Sequence, residues 1–268
     1  MRRDVKDLRV IVTGASGGIG RALVLELAAH GAKVVAAARN EVALQELART
    51  TIGVVPVRCD VAVPADRERL LAAAVAAFGG LDVLINNAGV AAWGHFATST
   101  EAINRTTMEV NFFAPVELTR LAMPLLKQGR TPAVVNVTSM CGRRGMPAWP
   151  EYSASKFALV GVAEAWRAEF GRFDVDVITV VPGLTKSDLS RHLLRRDGRA
   201  ELPYENGMTL EYVAAEIARA IRKNAREVVL GGEAKRMLLM NRFFPRLLNR
   251  LIARRITKLY ATERETPN

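Results

Sequence analysis

The chain has 268 residues, half of them hydrophobic and about a quarter charged, a mixture that suits a soluble α/β protein with a sizeable core. Its net charge of +11 is concentrated at one end, because eight Lys/Arg residues and no acid lie between Lys235 and Thr262. That segment supplies +8 and leaves about +3 for the rest, so nucleic acid is not an expected partner. The two cysteines, Cys59 and Cys141, lie far apart, and no uncharged apolar run reaches the ~18 residues that would span a bilayer. A reduced, cytoplasmic protein is expected, and the start MRRDVKDLRVIVTG runs into a strand without a cleavage-site pattern.

Short β-branched runs alternate with longer Ala/Leu-rich stretches along the chain. Strands are expected at 9–12, 33–37, 54–58, 83–86, 133–137, 176–181 and 227–230, and helices at 19–30, 41–50, 65–78, 100–127 and 151–170. The strands lack in–out alternation, which marks burial on both faces, and strand–helix alternation means a parallel sheet covered on both sides. No repeat or linker interrupts this pattern. One α/β domain over 1–232 is expected, followed by an extension over 233–268.

The first strand ends in Thr13-Gly14-Ala15-Ser16-Gly17-Gly18-Ile19-Gly20, and a helix follows at once. A glycine-rich turn between strand and helix lets a pyrophosphate approach the backbone and meet the free N–H groups of the helix N-terminus. Such a cluster can also be a plain structural turn, but its place in a first βαβ unit favours dinucleotide binding over Gly14, Ser16, Gly17, Gly18, Ile19 and Gly20. An NAD site would place an acid about 20 positions further on. Arg39 stands there instead, with no acid before Glu41, so NADP(H) is favoured over NAD(H) unless Arg39 is only a solvated residue at a helix start.

Three further segments complete a pattern. The spacing Thr13, Gly14, Gly18, Gly20 resembles the TGxxxGxG of the short-chain dehydrogenase/reductase family, Asn86-Asn87-Ala88-Gly89 resembles its NNAG, and Tyr152-Ser153-Ala154-Ser155-Lys156 its YxxxK. Asn111, Ser139 and Pro182-Gly183 fall in matching order, so the likeness covers roughly residues 8–232. The resemblance implies a Rossmann-type, doubly wound sheet in the order 3-2-1-4-5-6-7, a nicotinamide cofactor, and a catalytic set of Asn111, Ser139, Tyr152 and Lys156. It also places Asp60 near the adenine, Asn87 near the cofactor ribose, and Pro182, Gly183 and Thr185 near the nicotinamide, with Val61, Ala88 and Gly89 among the cofactor-binding residues. Where the family often has PGxxxT, this chain has Ser187. A homo-oligomer, dimer or tetramer, is implied by the resemblance alone.

The chemistry suits these residues. Tyr152 and Lys156, four apart, share one face of a helix. A free phenol ionises near pH 10, and an adjacent ammonium favours phenolate, which brings Tyr152 towards acid/base range near neutrality. Ser139 would hydrogen-bond the reacting oxygen in the manner of an oxyanion-hole donor, and Asn111 would support a water chain refilling the lysine–tyrosine pair. His30, His95 and His192 have no metal-ligand spacing, so no metal is expected, and Ser139 has no histidine partner for a hydrolase triad. A non-catalytic NADP(H) sensor or scaffold would not need the acid/base pair. An epimerase or dehydratase fits the glycine spacing and short C-terminal region poorly.

Trp93, Met140, Cys141, Met146, Trp149 and Leu184 are expected around the carbonyl. They suit a lipophilic ketone or aldehyde, although the tryptophans can equally pack loop bases. Residues 188–206 resemble the family's variable substrate lid. In the extension, Arg242, Arg246, Arg250, Arg254 and Lys258 recur every four residues beside Phe244, Leu248, Ile252 and Ile256, with Pro245 breaking or restarting the helix. A basic amphipathic helix over 235–260 can lie on an anionic membrane, such as the inner surface of the cell membrane, or pack its apolar face on the domain or a second subunit.

Overall fold

Valine and isoleucine dominate the strand segments because both faces of each strand are covered. In β1 (Arg9–Thr13), Val10 and Val12 enter one apolar core while Ile11 enters the other, and all three are buried. The structure is a computed structural model describing residues 3–187, 193–198 and 204–259. Within these, β1 joins β2 (Lys33–Ala38), β3 (Val54–Arg58), β4 (Val83–Asn86), β5 (Ala133–Val137), β6 (Asp176–Pro182) and β7 (Glu227–Leu230). They form one parallel sheet in the order β3-β2-β1-β4-β5-β6-β7, as expected.

One face is covered by α1 (Gly18–Ala29), α2 (Glu41–Thr50) and α7 (Leu210–Lys223) through Leu23, Leu27, Leu44, Leu47, Val213 and Ile217. The other is covered by α3 (Pro64–Phe78), α5 (Ala114–Leu126) and α6 (Pro150–Phe170) through Leu70, Leu118, Leu126, Ala163 and Trp166. Each fully buried leucine contributes roughly 1.5–3 kcal/mol. At the amino edge of the sheet, burial raises the pKa of Asp82, but hydrogen bonds from Arg9 and from the backbone of Arg9 and Arg130 outweigh it and hold the carboxyl below its usual value. That edge is a structural clamp.

The structure differs from expectation in two places. The helix expected over 100–127 is α4 (Glu101–Met108), a π-helical turn over Glu109–Phe113, and then α5. One extra residue in that turn re-aims Asn111. The helix α7 was not among the expected elements. Its signals are Thr209, whose hydroxyl accepts from Tyr212 N, the apolar spacing Val213, Ala214, Ile217, Ala218, Ile221, and Asn224 at φ 53° closing the end. The C-terminal segment forms α8 (Gly232–Phe243) and α9 (Pro245–Leu259), with Pro245 opening the second helix, where its missing N–H loses no bond. Of the lid expected at 188–206, residues 188–192, His192 among them, and 199–203 lie outside the described residues, as does the tail beyond Leu259.

Candidate active site

Because all seven strands run parallel, their carboxyl ends line one edge, and the order reverses between β1 and β4 to open a crevice there. The glycine loop after β1 lies against β2 through the Ala15 N–H donating to Ala37 O at 3.0 Å. Gly18 has φ +51°, which a side chain would strain. A Cβ on Gly20 would lie 2.2 Å from Gly14 O and 2.6 Å from Asn87 Nδ2, so only glycine lets α1 begin this close to the strand end. Gly17 precedes α1 without a side-chain cap, so the first N–H groups stay open to an anion. Ser16 and Ile19 lie half-buried along this loop. A cradle of this shape fits a dinucleotide pyrophosphate.

Neighbouring strand ends extend the cradle. Arg39 follows β2 directly and is exposed, and Asn40 caps α2 by accepting from Ala43 N. The Cys59 N–H donates to Ala38 O, which brings the Asp60–Val61 turn alongside Arg39. Asp60 accepts from Ala62 N, and its own N–H donates to Asp66 Oδ2 at 2.8 Å. Asp66, which the motif pattern did not point to, thus fixes that turn. Thr13 Oγ1 accepts from Asn87 N and Ala88 N, both at 3.0 Å, while Asn87 Nδ2 donates to Thr13 O at 2.8 Å. These bonds lock the turn after β4 to the glycine loop. Asn86 instead points into the sheet, donating to Thr119 Oγ1 and Asn136 Oδ1, so the first asparagine of the motif joins strands.

The catalytic candidates gather beyond β4 and β5. The π-helical turn carries Asn111, fully buried, whose Nδ2 donates to Val90 O at 2.8 Å and Ser155 Oγ at 2.9 Å while its Oδ1 accepts from Val90 N. Both amide hydrogens are therefore engaged with protein, and only Oδ1 has capacity left for a water. A Cβ on Gly89 would lie 3.1 Å from that oxygen and 3.5 Å from Lys156 Nζ, so glycine keeps open the gap between them. Ser155, inside the YxxxK segment, links Asn111 to Tyr152 by donating to Tyr152 O at 2.8 Å.

Lys156 is buried, and its ammonium donates to Val137 O at 3.1 Å and sits 5.8 Å from the centre of the Tyr152 ring. Burial lowers its pKa to about 8. Ser139 Oγ accepts from Cys141 N at 3.1 Å, and its hydroxyl also lies within hydrogen-bonding reach of the Cys141 thiol. Burial pushes the Cys141 thiol up, which makes it a pocket wall and a poor nucleophile at neutral pH.

Tyr152 belongs to an apolar cluster with Ala91, Trp93, Cys141, Met146, Trp149 and Leu193. Its ring lies 5.8 Å from that of Trp149, which lies 6.4 Å from Trp93. Of the expected carbonyl surroundings, Trp93, Cys141, Met146 and Trp149 meet here, whereas Met140 and Leu184 are absent from the cluster. Trp93 also holds residues 195–198: its N–H donates to Arg195 O, its carbonyl accepts from Asp197 N, and Gly198 packs on its ring. Arg195 reaches Glu151, buried beside Tyr152, at 3.3 Å and the His95 carbonyl at 2.5 Å. Motif reasoning missed this ion pair, since neither residue belongs to a motif. Pro182 ends β6, and Gly183 and Thr185 follow it, where the Gly183 N–H donates to Leu230 O and Thr185 Oγ1 to Gly183 O.

The short chain dehydrogenase family profile matches residues 9–197. The uncharacterised oxidoreductase YxnA of Bacillus subtilis (strain 168) is 33% identical over 258 residues, 93% of this chain and 72% of that one. A short-chain dehydrogenase from Burkholderia cenocepacia J2315, solved in complex with NADP, superposes with a TM-score of 0.81 at 27% identity over 93% of this chain and 99% of its own. A short-chain dehydrogenase/reductase from Burkholderia phymatum, solved with NAD, has a TM-score of 0.83 at 24% identity over 91% and 96%, a likeness of fold. With the sheet order, the glycine cradle and the Asn111–Ser139–Tyr152–Lys156 grouping, these matches establish that the chain is an oxidoreductase of the short-chain dehydrogenase/reductase family.

Proposed function

We propose that the protein is an NADP(H)-dependent carbonyl reductase or alcohol dehydrogenase for a lipophilic substrate, acting in the cytoplasm as a dimer or tetramer. The preference for NADP(H) rests on Arg39, exposed at the end of β2 beside the cradle, with no carboxylate before Glu41. A guanidinium there would hold a 2′-phosphate through charge-assisted bonds. The preference for a lipophilic substrate rests on the tryptophan, methionine and cysteine wall around Tyr152.

When bound, the nicotinamide exchanges hydride with the substrate carbon. Tyr152 donates the proton to the carbonyl oxygen, and the Lys156 ammonium favours the phenolate that remains. Ser139, its oxygen anchored by accepting from Cys141 N, turns its hydroxyl hydrogen to the same oxygen and opposes the charge that develops there. Asn111 positions Tyr152 through Ser155 and offers Oδ1 to a water that can return a proton by way of Lys156.

The observation that carries this reading is the placement of Tyr152, between the buried Lys156 and an apolar wall. The test is NADPH oxidation with a panel of lipophilic ketones and aldehydes against sugars and acyl thioesters, with Tyr152→Phe as control. Turnover confined to the lipophilic members and absent from the variant is expected; equal rates from both proteins would overturn the reading.

A further inference from the structure

We propose that α8 and α9 form a docking surface for an anionic lipid bilayer, seated beside the mouth of the active site. The hairpin is tied to the site by Arg144, in the loop between Ser139 and Tyr152. Its Nη1 donates to Asn241 Oδ1 of α8 at 3.0 Å and its Nη2 to Asn249 Oδ1 of α9 at 2.6 Å. Two residues on, the same loop sends Met146 into the apolar cluster around Tyr152. Ala234 in the first turn of α8 packs against Gly183, so the hairpin also touches the turn after β6.

What the hairpin turns outward is apolar and basic together. Leu239, Phe243, Phe244, Leu247 and Leu251 are each between 46 and 64% exposed, with the phenylalanines at the bend most so. Eight Lys/Arg residues lie between 235 and 258, with no carboxylate from 234 to 259. At ~100° per residue, Leu247 and Leu251 fall between the exposed ridge of Arg246, Arg250, Arg254 and Lys258 and the inward row of Leu248, Ile252 and Ile256. Side chains so ordered let the leucines and phenylalanines enter the acyl boundary while the guanidinium groups stay at the headgroups.

Charge selects the occupant. Pairing this face with the same face of a second copy would set the Arg246, Arg250, Arg254 and Lys258 ridge against its own image, a juxtaposition that opposes association. An anionic headgroup layer complements it and attracts each cation. No described helix is long and apolar enough to cross a membrane, so the contact is interfacial. The inference deepens the proposed function, because a bilayer is where a lipophilic carbonyl compound concentrates. It rests on that reading only for the identity of the cargo.

The test is co-sedimentation of the full chain with vesicles of phosphatidylcholine alone or containing about 30 mol % phosphatidylglycerol. Binding at least tenfold stronger to the anionic vesicles, weakened by high salt, is expected. The variants Phe243→Ser/Phe244→Ser/Leu247→Ser and Arg250→Glu/Arg254→Glu should each lose it while keeping wild-type turnover of a lipophilic ketone held below its solubility limit without vesicles. Equal partitioning to the two vesicle types, or none, overturns the proposal. So does conversion of an oligomer to monomers by the first variant with vesicle binding intact, which would make the face a subunit contact. Vesicle binding without carbonyl turnover would sink the enzymatic reading and leave this one standing.

Discussion

Replacing Lys156 with methionine should leave the nucleotide-free protein at least as stable at neutral pH while removing its activity. The ammonium is buried, and desolvation lowers its pKa from 10.5 to about 8. The folded-state value lies below the unfolded one, so between pH 8 and 10.5 the unfolded chain holds the extra proton and stability rises with pH. Below pH 8 both states are protonated, and folding carries the full penalty of about 3 kcal/mol, at ~1.4 kcal/mol per pH unit between the two values. Methionine has no such charge but gives up the ammonium's bond to Val137 O, worth about 1.5–3 kcal/mol. The variant should therefore match wild type or exceed it by up to about 1.5 kcal/mol at pH 7, and its stability relative to wild type should fall by about 2 kcal/mol by a pH near 9.5. Paired urea unfolding curves at the two pH values measure this, since every other titrating group is common to both proteins and cancels. A variant less stable than wild type at pH 7, or a gap independent of pH, would refute the burial argument.

Three other outcomes follow from the same geometry. Gly20→Ala places a Cβ 2.2 Å from Gly14 O, so NADPH affinity by fluorescence titration should fall more than tenfold, about 1.4 kcal/mol; undiminished affinity would contradict the cradle. Arg39→Asp exchanges a donor of charge-assisted bonds, worth about 1.5–3 kcal/mol, for an acid. The ratio of kcat/KM with NADPH to that with NADH should drop at least tenfold, and an unchanged ratio would remove Arg39 from cofactor selection. In the reductive direction, kcat/KM should decline above about pH 8 as Lys156 loses its proton and Tyr152 its charged neighbour. A profile level to pH 10 would separate Lys156 from the chemistry.

The sheet was legible because its strands are buried on both faces and read as continuous β-branched runs between glycine-closed helices. The cofactor cradle was legible because backbone proximity permits nothing larger than glycine at Gly20. What escaped is what depends on partners distant in the chain. The π-helical turn at Asn111 was not read from the amphipathic pattern, and the Val90 groups that Asn111 bonds there lie 21 residues away. The Arg195–Glu151 pair joins residues 44 apart, and Asp66 acts by accepting the Asp60 N–H from a helix that composition alone marks only as helical. The helix α7 did carry a cap, a periodic apolar face and a left-handed stop, and was readable from those local signals. The basic stripe was visible in sequence, but its junction with the site through Arg144 required the fold.

The central claim is that the Tyr152 hydroxyl delivers the proton. Single-turnover NADPH oxidation by Tyr152→Phe, alongside NADPH affinity by fluorescence titration, isolates that role because only one oxygen atom is removed. Affinity within about twofold of wild type and a hydride-transfer rate lowered by about 10²–10⁴ are predicted. Retention of the wild-type rate with bound nucleotide would contradict the claim.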